Sequence, residues 1–478
     1  MSVFNPESRS IDFVPHAERF GHVRSLFTLW FGANMQVVSI AAGAISVYLG
    51  LSVPWAFLAT VIGNLIGGVF MALHSAQGPI LGIPQMIQSR AQFGFYGAML
   101  PLLFVILMYI GFSATTTVQG GLAFASLTGF TSNLSIALVA IVTGLITIFG
   151  YRLIHKAEKW LSLISGLAFL YLSFRLVTSN DFSRVWDGGG FAWPAFIGAA
   201  AIAVTWQLTY APYVADYSRY LPAGTSVSAS FWTTYLGSVL ASVWMFTFGA
   251  AVTALVPNAF NGGSVDYIVN LAGGLHWLFF LIIIAGLIGV NSMDIYGAFM
   301  STTTVLNSLA RRIRITPLAR AGIIILMAAI ATLIGVLGKD NFLHNFHNFI
   351  LLLAYFLIPW TSINLVDFYL IRKEKYDVNA LADPRGEYGG VDWRAMTAYI
   401  VGILIEIPFI ASSFYTGPIA NALGGADVSW VFGIFIAGGL YVVLMKAFPT
   451  RTKYPARTAT STIGEAADPG DDQRTLVQ

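Results

Sequence analysis

The chain has 478 residues, of which 56% are hydrophobic and 10% are charged, and its mean hydropathy is +0.73. Because soluble domains carry about 25% charged residues, this composition excludes an ordinary soluble protein and is typical of a polytopic membrane protein. The formal charge of +3 comes from basic residues spread over many short loops, which argues against nucleic acid as a partner. The chain has no cysteine, which excludes disulfides and thiolate metal sites.

Twelve apolar segments follow a polar stretch at residues 1–23, and most have the roughly 17–25 residues that a membrane-spanning helix needs. The polar stretch does not have the pattern of a cleaved signal peptide, because the first apolar run has full length. We therefore predict an all-α polytopic membrane protein with 12 transmembrane helices. The segments cover residues 24–49, 53–74, 95–127, 133–151, 160–179, 194–215, 229–255, 276–308, 320–338, 346–371, 395–415 and 428–447.

Basic residues are distributed unevenly around these segments. With the N-terminus inside, all of the 25 Lys and Arg residues except Arg175, Arg184 and Lys339 fall on the inner side. Since Lys and Arg are retained on the cytoplasmic side, we predict a multi-pass protein of the cell membrane (plasma or inner). Both of its termini are expected in the cytoplasm.

The first segment is interrupted at its centre by Asn34 and Gln36, with Gly32 and Gly43 on either side. An unpaired amide in hydrocarbon costs roughly 2–7 kcal/mol, and a broken helix persists in a membrane only where it is buried in protein or lines a cavity. These amides are therefore candidates for contacting a ligand at mid-membrane. The alternative is that they tie helices together.

The sixth segment is also interrupted, because Trp206, Gln207 and Pro212 lie within an apolar run. Two interrupted helices five segments apart predict an inverted-repeat transporter with its site at the interface of the repeats. The predicted parts are a cytoplasmic N-terminal tail (1–23), a first five-helix repeat (24–179), a second five-helix repeat (194–371), a cytoplasmic loop (372–394), helices eleven and twelve (395–448) and a disordered cytoplasmic tail (449–478).

Two carboxylates lie within apolar segments. Asp294 is three residues from Asn291 in the eighth segment, so the two share a helix face, and Glu406 lies in the eleventh. An acidic residue at membrane depth is a functional candidate by default. The alternatives are that Asp294 lies near an interface or pairs with a buried polar group, and that Glu406, outside the ten-helix core, is structural.

Two aromatic residues are placed to hold a flat ligand. Trp206 adjoins the break in the sixth segment, and Tyr109 lies in the middle of the third. If the two rings face each other they form a slot, with each face contributing about 0.5–1.5 kcal/mol beyond burial. The alternative is ordinary core packing.

Catalytic and metal-binding patterns are missing from the sequence. His344 and His347 have an HxxH spacing but no carboxylate at ligand spacing, so we do not expect a metal site. The sequence has no P-loop, HExxH motif or nucleophile elbow. We therefore predict a protein that is not an enzyme and needs no cofactor.

Three stretches carry a resemblance to a known family, namely Glu18–Gln36, Tyr213–Pro222 and Val366–Ala395. They resemble the purine-cytosine permease branch of the nucleobase:cation symporter-1 family, and the likeness covers most of residues 15–448. The resemblance implies a five-plus-five inverted-repeat core with two added helices. It also implies alternating access that moves a nucleobase-like ring together with a cation.

The resemblance assigns roles to particular positions. The substrate glutamine of helix one falls on Gln36, the asparagine of helix eight on Asn291, and the aromatic of helix three on Tyr109. On helix six the match allows either Trp206 or Gln207. A helix-three glutamine of the hydantoin transporters is replaced here by Ser113.

The coupling ion follows from a departure from the family pattern. Sodium-coupled relatives have two adjacent hydroxyl residues before the helix-eight asparagine, and here these positions are Gly289 and Val290. Backbone carbonyls near Gly32 and Met35 are then left as an incomplete sodium cage. We therefore expect proton coupling, with Asp294 as the carrier and Glu406 as a second candidate. Sodium remains the alternative.

We predict secondary active import of an uncharged heterocycle such as cytosine or a purine, by a monomer in the lipid bilayer. Amides are both donors and acceptors, as nucleobase edges are. One alternative keeps the fold but carries an allantoin-, hydantoin- or vitamin-like ring. The other is an uncoupled membrane receptor or channel.

Overall fold

The computed structural model describes residues 13–149, 151–179, 183, 185, 190–260, 265–309 and 316–449, with residues 151–159 described as backbone. Most of the predicted C-terminal tail, 450–478, and the first twelve residues lie outside the described residues. The described chain is helical, and its only strand-like pairings are two isolated β-bridges, Leu51 with Gly190 and Ala411 with Thr416.

The α-helices of the described chain are numbered here in order. They are α1 (Arg24–Asn34), α2 (Val37–Tyr48), α3 (Val53–His74), α4 (Gln77–Leu81), α5 (Gln85–Gln88), α6 (Arg90–Phe93), α7 (Met99–Thr128), α8 (Ser132–Phe149), α9 (Tyr151–Ser179), α10 (Trp193–Tyr210), α11 (Val214–Ser218), α12 (Val227–Leu255), α13 (Asp266–Asn270), α14 (His276–Leu309), α15 (Pro317–Gly338), α16 (Phe342–Val366), α17 (Trp393–Glu406), α18 (Pro418–Ala422) and α19 (Ser429–Ala447).

The predicted all-α membrane class is confirmed. Within the described residues, eight helical stretches are long and apolar enough to span a membrane, or nine if α1 and α2 count as one broken span. One of the eight, Pro317–Ile371, contains both α15 and α16, whereas α10 and α17 are not among them. Each of the twelve predicted segments contains a helix, but the count of twelve spans stays a prediction.

The helices pack in groups. α1, α2, α3, α10 and α12 form a first group, and α7, α8, α14 and α15 form a second. α9 packs against α14 and also reaches α1, while α16, α17 and α19 pack together beside both groups. The division into two five-helix repeats is not tested by this packing and stays a prediction.

Small residues allow the closest helix approach in the first group. Gly43 of α2 lies on the backbone of Phe246 in α12, and Gly249 of α12 lies on the backbone of Ile40 in α2. A Cβ atom at either glycine would overlap the facing backbone. Such small residues are typical of helix contacts in membranes, where close van der Waals packing drives association.

Candidate functional site

The predicted break in the first segment is present. α1 ends at Asn34, Met35 and Gln36 leave the helical conformation, and α2 begins at Val37 after a bend of 61°. Gln36 is extended, with φ −143° and ψ 157°. The Met35 N–H donates to the Gly32 carbonyl at 2.9 Å.

Gln36 keeps one amide oxygen available at the break. Its Nε2 atom donates to the Ala33 carbonyl at 2.9 Å. Its Oε1 atom is buried and accepts no hydrogen bond from the described residues. Because a buried acceptor without a donor is costly, this oxygen is suited to receive an N–H group from a ligand.

Asn34, by contrast, is fully engaged by the protein. Its side chain is inaccessible, and Nδ2 donates to the Trp30 carbonyl at 2.8 Å and to Ser238 Oγ at 3.2 Å. Its Oδ1 atom accepts from three donors, which are Trp206 Nε1 (2.8 Å), Ser242 Oγ (2.8 Å) and Tyr210 OH (3.1 Å). Asn34 therefore joins the break to α10 and α12.

Gln207 extends this network to α3. Its Nε2 atom donates to Asn64 Oδ1 at 2.8 Å and to Ser242 Oγ at 3.0 Å, and its Oε1 atom accepts from Ser238 Oγ at 2.7 Å. The side chain is fully buried. We call Asn34, Asn64, Trp206, Gln207, Tyr210, Ser238 and Ser242 the central network.

The aromatic residues pair differently from the expected slot. Trp206 is fully buried, and the α7 ring that meets it edge-on is Phe112, at 5.8 Å between ring centroids. Tyr109 lies one turn away and pairs with Tyr213 at 5.6 Å. Residues three apart share a helix face, so Tyr109 indicated the correct face of α7. Phe112 carries no local signal that distinguishes it from other phenylalanines.

Asn291 lies in a separate network within the second group. Its Oδ1 atom accepts from Ser113 Oγ at 2.5 Å. Its Nδ2 atom donates to Thr117 Oγ1 at 2.7 Å and to Thr143 Oγ1 at 3.5 Å. The amide is inaccessible, so in this conformation it ties α14 to α7 and α8.

The two carboxylates, Asp294 and Glu406, differ in burial and in the groups around them. Asp294 is half-buried, and its carboxylate interacts electrostatically with the hydroxyls of Tyr109, Tyr210 and Tyr213. It therefore lies beside the connected rings of Tyr109, Phe112, Trp206, Tyr210 and Tyr213, which we call the aromatic layer. Glu406 is inaccessible, abuts Gly433 of α19, and has no hydrogen-bond partner among the described residues. It lies outside the group of residues that meet at the break.

A cleft opens beside the break. Its wall includes Gly32, Met35 and Gln36 on one side and Gly289 and Val290 of α14 on the other. The positions singled out for a sodium cage therefore do face one another. Two α9 hydroxyls, Ser162 and Ser165, also line the cleft and were not singled out from the sequence.

No charged residue lines this cleft among the described residues. The described chain also contains no group of three or more His, Cys, Asp or Glu residues placed to hold a metal ion. The chemistry that the site offers is therefore amide and hydroxyl hydrogen bonding together with aromatic faces. Such groups suit a flat, neutral, polar-edged molecule.

Comparisons with known proteins agree with this chemistry. A family model described as permease for cytosine/purines, uracil, thiamine and allantoin matches residues 13–433. A putative purine-cytosine permease of Bacillus subtilis, YxlA, is 44% identical over 440 residues, which are 92% of this chain and 96% of that protein. The purine-cytosine permease fcyB of Emericella nidulans is 28% identical over 461 residues, covering 92% of this chain and 88% of that one.

Solved structures show the same fold. Mhp1, a nucleobase-cation-symport-1 family transporter in a closed conformation with bromovinylhydantoin bound, gives a TM-score of 0.71 at 22% identity. That match covers 94% of this chain and 97% of the other. The inward-facing conformation of Mhp1 gives a TM-score of 0.72, with coverage of 94% and 96%.

Proposed function

The chain belongs to the family of permeases for cytosine/purines, uracil, thiamine and allantoin, and from that premise we propose that it is a secondary transporter for a neutral nucleobase-like ring. It would import cytosine or a purine by cation symport through alternating access. We also propose that it is a monomer in the cell membrane. The distribution of basic residues predicts that both of its termini lie in the cytoplasm.

The observation that carries the proposal is the Oε1 atom of Gln36. This oxygen lies at the break, beside the cleft and without an ordinary hydrogen bond, while the neighbouring amides of Asn34 and Gln207 are fully engaged. A ring N–H of a nucleobase is a donor that this oxygen can accept. Trp206 bonds Asn34 at the break and meets Phe112 edge-on, and we expect this contact to open to admit a ring between them.

The test is counterflow of labelled cytosine and adenine into proteoliposomes, with uracil, thiamine and allantoin as competitors. A carrier exchanges labelled for unlabelled substrate, whereas a receptor or channel does not accumulate label. Gln36→Ala should weaken binding by about 1–3 kcal/mol, because it removes the acceptor for a buried ligand donor.

The matched control for this variant is Asn348→Ala. Asn348 is also a buried carboxamide, but it bonds the His344 carbonyl of α16 and the Ser413 N–H in the segment between α17 and α18. Its loss should leave substrate affinity unchanged. Equal affinity of Gln36→Ala and the parent would remove Gln36 from the site, and absence of counterflow with every ligand would overturn the transport proposal.

We propose the proton as the coupling ion and Asp294 as its carrier. Asp294 is a carboxylate, which can take up and release a proton, and it interacts electrostatically with Tyr109, Tyr210 and Tyr213. Gly289 and Val290 supply no hydroxyl to a sodium ion. Sodium has a specific observation in its favour, which is the pair of α9 hydroxyls, Ser162 and Ser165, on the cleft wall.

The two ions predict opposite results in one experiment. With proton coupling, an imposed pH gradient drives uptake in sodium-free buffer, and Asp294→Asn abolishes that drive while a double Ser162→Ala, Ser165→Ala variant keeps it. With sodium coupling, uptake requires sodium, ignores the pH gradient and is lost in the serine variant. Counterflow, which needs no driving ion gradient, serves as the control for intact folding.

A further inference from the structure

A polar turn closes one end of the helix bundle. α16 is followed by a π-helical turn, Asp367–Ile371, in which the Arg372 N–H donates to the Asp367 carbonyl at 2.8 Å. The next residues, Lys373 and Glu374, have left-handed φ angles of 51° and 65°. Non-glycine residues hold this conformation only where the surroundings impose it, and π-turns are frequent at functional sites.

The surroundings that impose it converge on the Asp367 carboxylate, which is inaccessible. Its Oδ2 atom accepts from Tyr376 OH (2.7 Å), Gln92 Nε2 (2.9 Å) and Arg372 Nε (3.1 Å), and its Oδ1 atom accepts from Tyr441 OH (2.7 Å). The donors come from α6, the turn, the following loop and α19. We call these five residues the Asp367 hub.

The charges in the hub are matched locally. Arg372 also donates to the Ala91 carbonyl at 3.0 Å and lies 3.6 Å from a Glu387 oxygen. Burial, and then the neighbouring Asp367 carboxylate, raises the pKa of the Tyr376 hydroxyl. Tyr376 therefore remains a hydrogen-bond donor at physiological pH.

A chain of buried carboxamides connects the hub to the first helix group. Asn364 donates to Gln92 at 3.4 Å and accepts from Gln77 at 2.7 Å, and Gln77 in turn accepts from Gln85 at 2.6 Å. The Gln85 N–H donates to an Asp216 carboxylate oxygen at 2.6 Å, and Gln85 Oε1 accepts from the Ala215 N–H at 3.3 Å. We call Gln77, Gln85, Gln92 and Asn364 the amide relay.

The relay spans elements that would have to separate during transport. Ala215 and Asp216 lie on α11, which follows the helix that carries Trp206, whereas Asn364 and Asp367 lie at the end of α16. The segment between them, α4 to α6, connects α3 of the first group to α7 of the second. α11 is joined to the end of α16 through Gln85 and Gln77, and we expect a ligand at Trp206 to leave toward this end only when that connection breaks.

We propose that Asp367 is the hub of a gate at this end of the bundle, and that opening the gate breaks the bond from Gln92 to Asp367 and the relay behind it. Arg90, Arg219 and Arg372 mark this end, which the basic-residue pattern predicts to be cytoplasmic. The inference rests on the proposed transport by alternating access. Asp367 acts in it as a positioning residue that holds the closed state without touching the ligand.

The absence of cysteine from the sequence makes the gate directly measurable. Ser218 of α11 is inaccessible, lies against Gly78 of α4 and has no hydrogen-bond partner for its hydroxyl among the described residues. Ser218→Cys therefore places one thiol behind the gate with a small change in volume. The readout is its rate of reaction with a hydrophilic maleimide in purified protein without substrate.

Gln92→Leu and Asp367→Asn, each in the Ser218→Cys background, should label at least about tenfold faster than the parent because the open state gains population. Tyr441→Phe is the matched control, since it removes one hub bond from α19 and leaves the relay intact. It should label at close to the parent rate. Monodisperse elution and a cooperative melting transition establish folding, and Gln92→Leu carries the test if Asp367→Asn does not fold.

Parent-like labelling of folded Gln92→Leu and Asp367→Asn would overturn the gate. Acceleration by Tyr441→Phe equal to that by Gln92→Leu would overturn it as well, because the hub would then only stabilise the fold. The assay contains no ligand, so it fails or succeeds independently of which heterocycle is carried or whether counterflow is observed.

Discussion

The central network and the Asp367 hub both bury polar side chains between helices, but they use different chemical groups to do so. Both bury many polar atoms, but the central network consists of amides, hydroxyls and one indole, with no formal charge. The hub is built on a carboxylate and a guanidinium. Arg372 exposes 17% of its side chain while Asp367 exposes none, so the pair keeps one partner in reach of water.

The difference indicates where this protein tolerates charge. A charged side chain deep in a bilayer is costly, and burying an ion pair costs more than its attraction returns unless further hydrogen bonds complete it. Neutral amides can both join helices and bind a ligand at mid-membrane without that cost. Of the two networks, only the hub, where the helices end, carries charge, and Asp294 is a separate carboxylate beside the break.

The largest effect is expected at Trp206, where the central network meets the aromatic layer. Trp206→Ala removes a fully buried ring, a change that costs roughly 3–5 kcal/mol of stability, and should abolish substrate binding. Trp206→Phe keeps a six-membered aromatic ring and loses the pyrrole ring with its bond from Nε1 to Asn34. It should retain most of the binding in a direct ligand-binding titration. Equal binding by the two variants would assign Trp206 to packing alone.

A smaller effect is expected when the central network loses Asn34. Interhelical hydrogen bonds in membranes are worth on average about 0.6 kcal/mol, and the four bonds of Asn34 to α10 and α12 therefore amount to roughly 2.4 kcal/mol. Asn34→Ala should lower the melting temperature accordingly. Asn34→Asp, which has the same shape, should be no better, because it places a carboxylate in a network without a cation.

The reverse exchange at the hub sharpens the comparison. Asp367→Asn keeps the shape but removes the charge beside Arg372, which can still reach water and Glu387. Its melting temperature should fall less than that of Asn34→Asp. A larger fall at Asp367 would contradict the distinction between a neutral centre and a charged end. Asn345→Ala is the control for an exposed position, because among the described residues the Asn345 side chain bonds only the Gly338 carbonyl.

More of the residues at the centre of the bundle than of those at the Asp367 end could be predicted from the sequence. Gln36 and Trp206 stand out because a polar or bulky residue within an apolar run is unusual, and the break at Gln36 was predictable for that reason. The partners of Asn34 on α12 were not, because Ser238 and Ser242 are more than 200 residues away and serines are common in such helices. Pairing across that separation depends on the fold, which local sequence does not encode.

The end of the bundle was hidden for a different reason. Gln77, Gln85 and Gln92 lie between the second and third apolar segments of the sequence, and polar residues are ordinary in a loop. Only the structure shows that all three are buried, that Gln85 donates to Gln77, and that Gln77 and Gln92 both bond Asn364 of α16. A buried connection is exceptional, because its polar groups must find partners inside the protein.

The smallest effect concerns Asn291, whose predicted contact with substrate competes with its bonds inside the second helix group. Ser113→Ala removes the donor at 2.5 Å from Asn291 Oδ1 and leaves the bonds to Thr117 and Thr143. If Asn291 only joins helices, the free energy of unfolding should fall by about 0.6 kcal/mol, with a slightly lower melting temperature. Substrate affinity should then not change. If Asn291 turns toward the substrate, release from Ser113 should instead raise the affinity. Isothermal titration of Ser113→Ala and the parent with cytosine separates the two roles, because a tie and a ligand contact predict different responses to the same lost hydrogen bond.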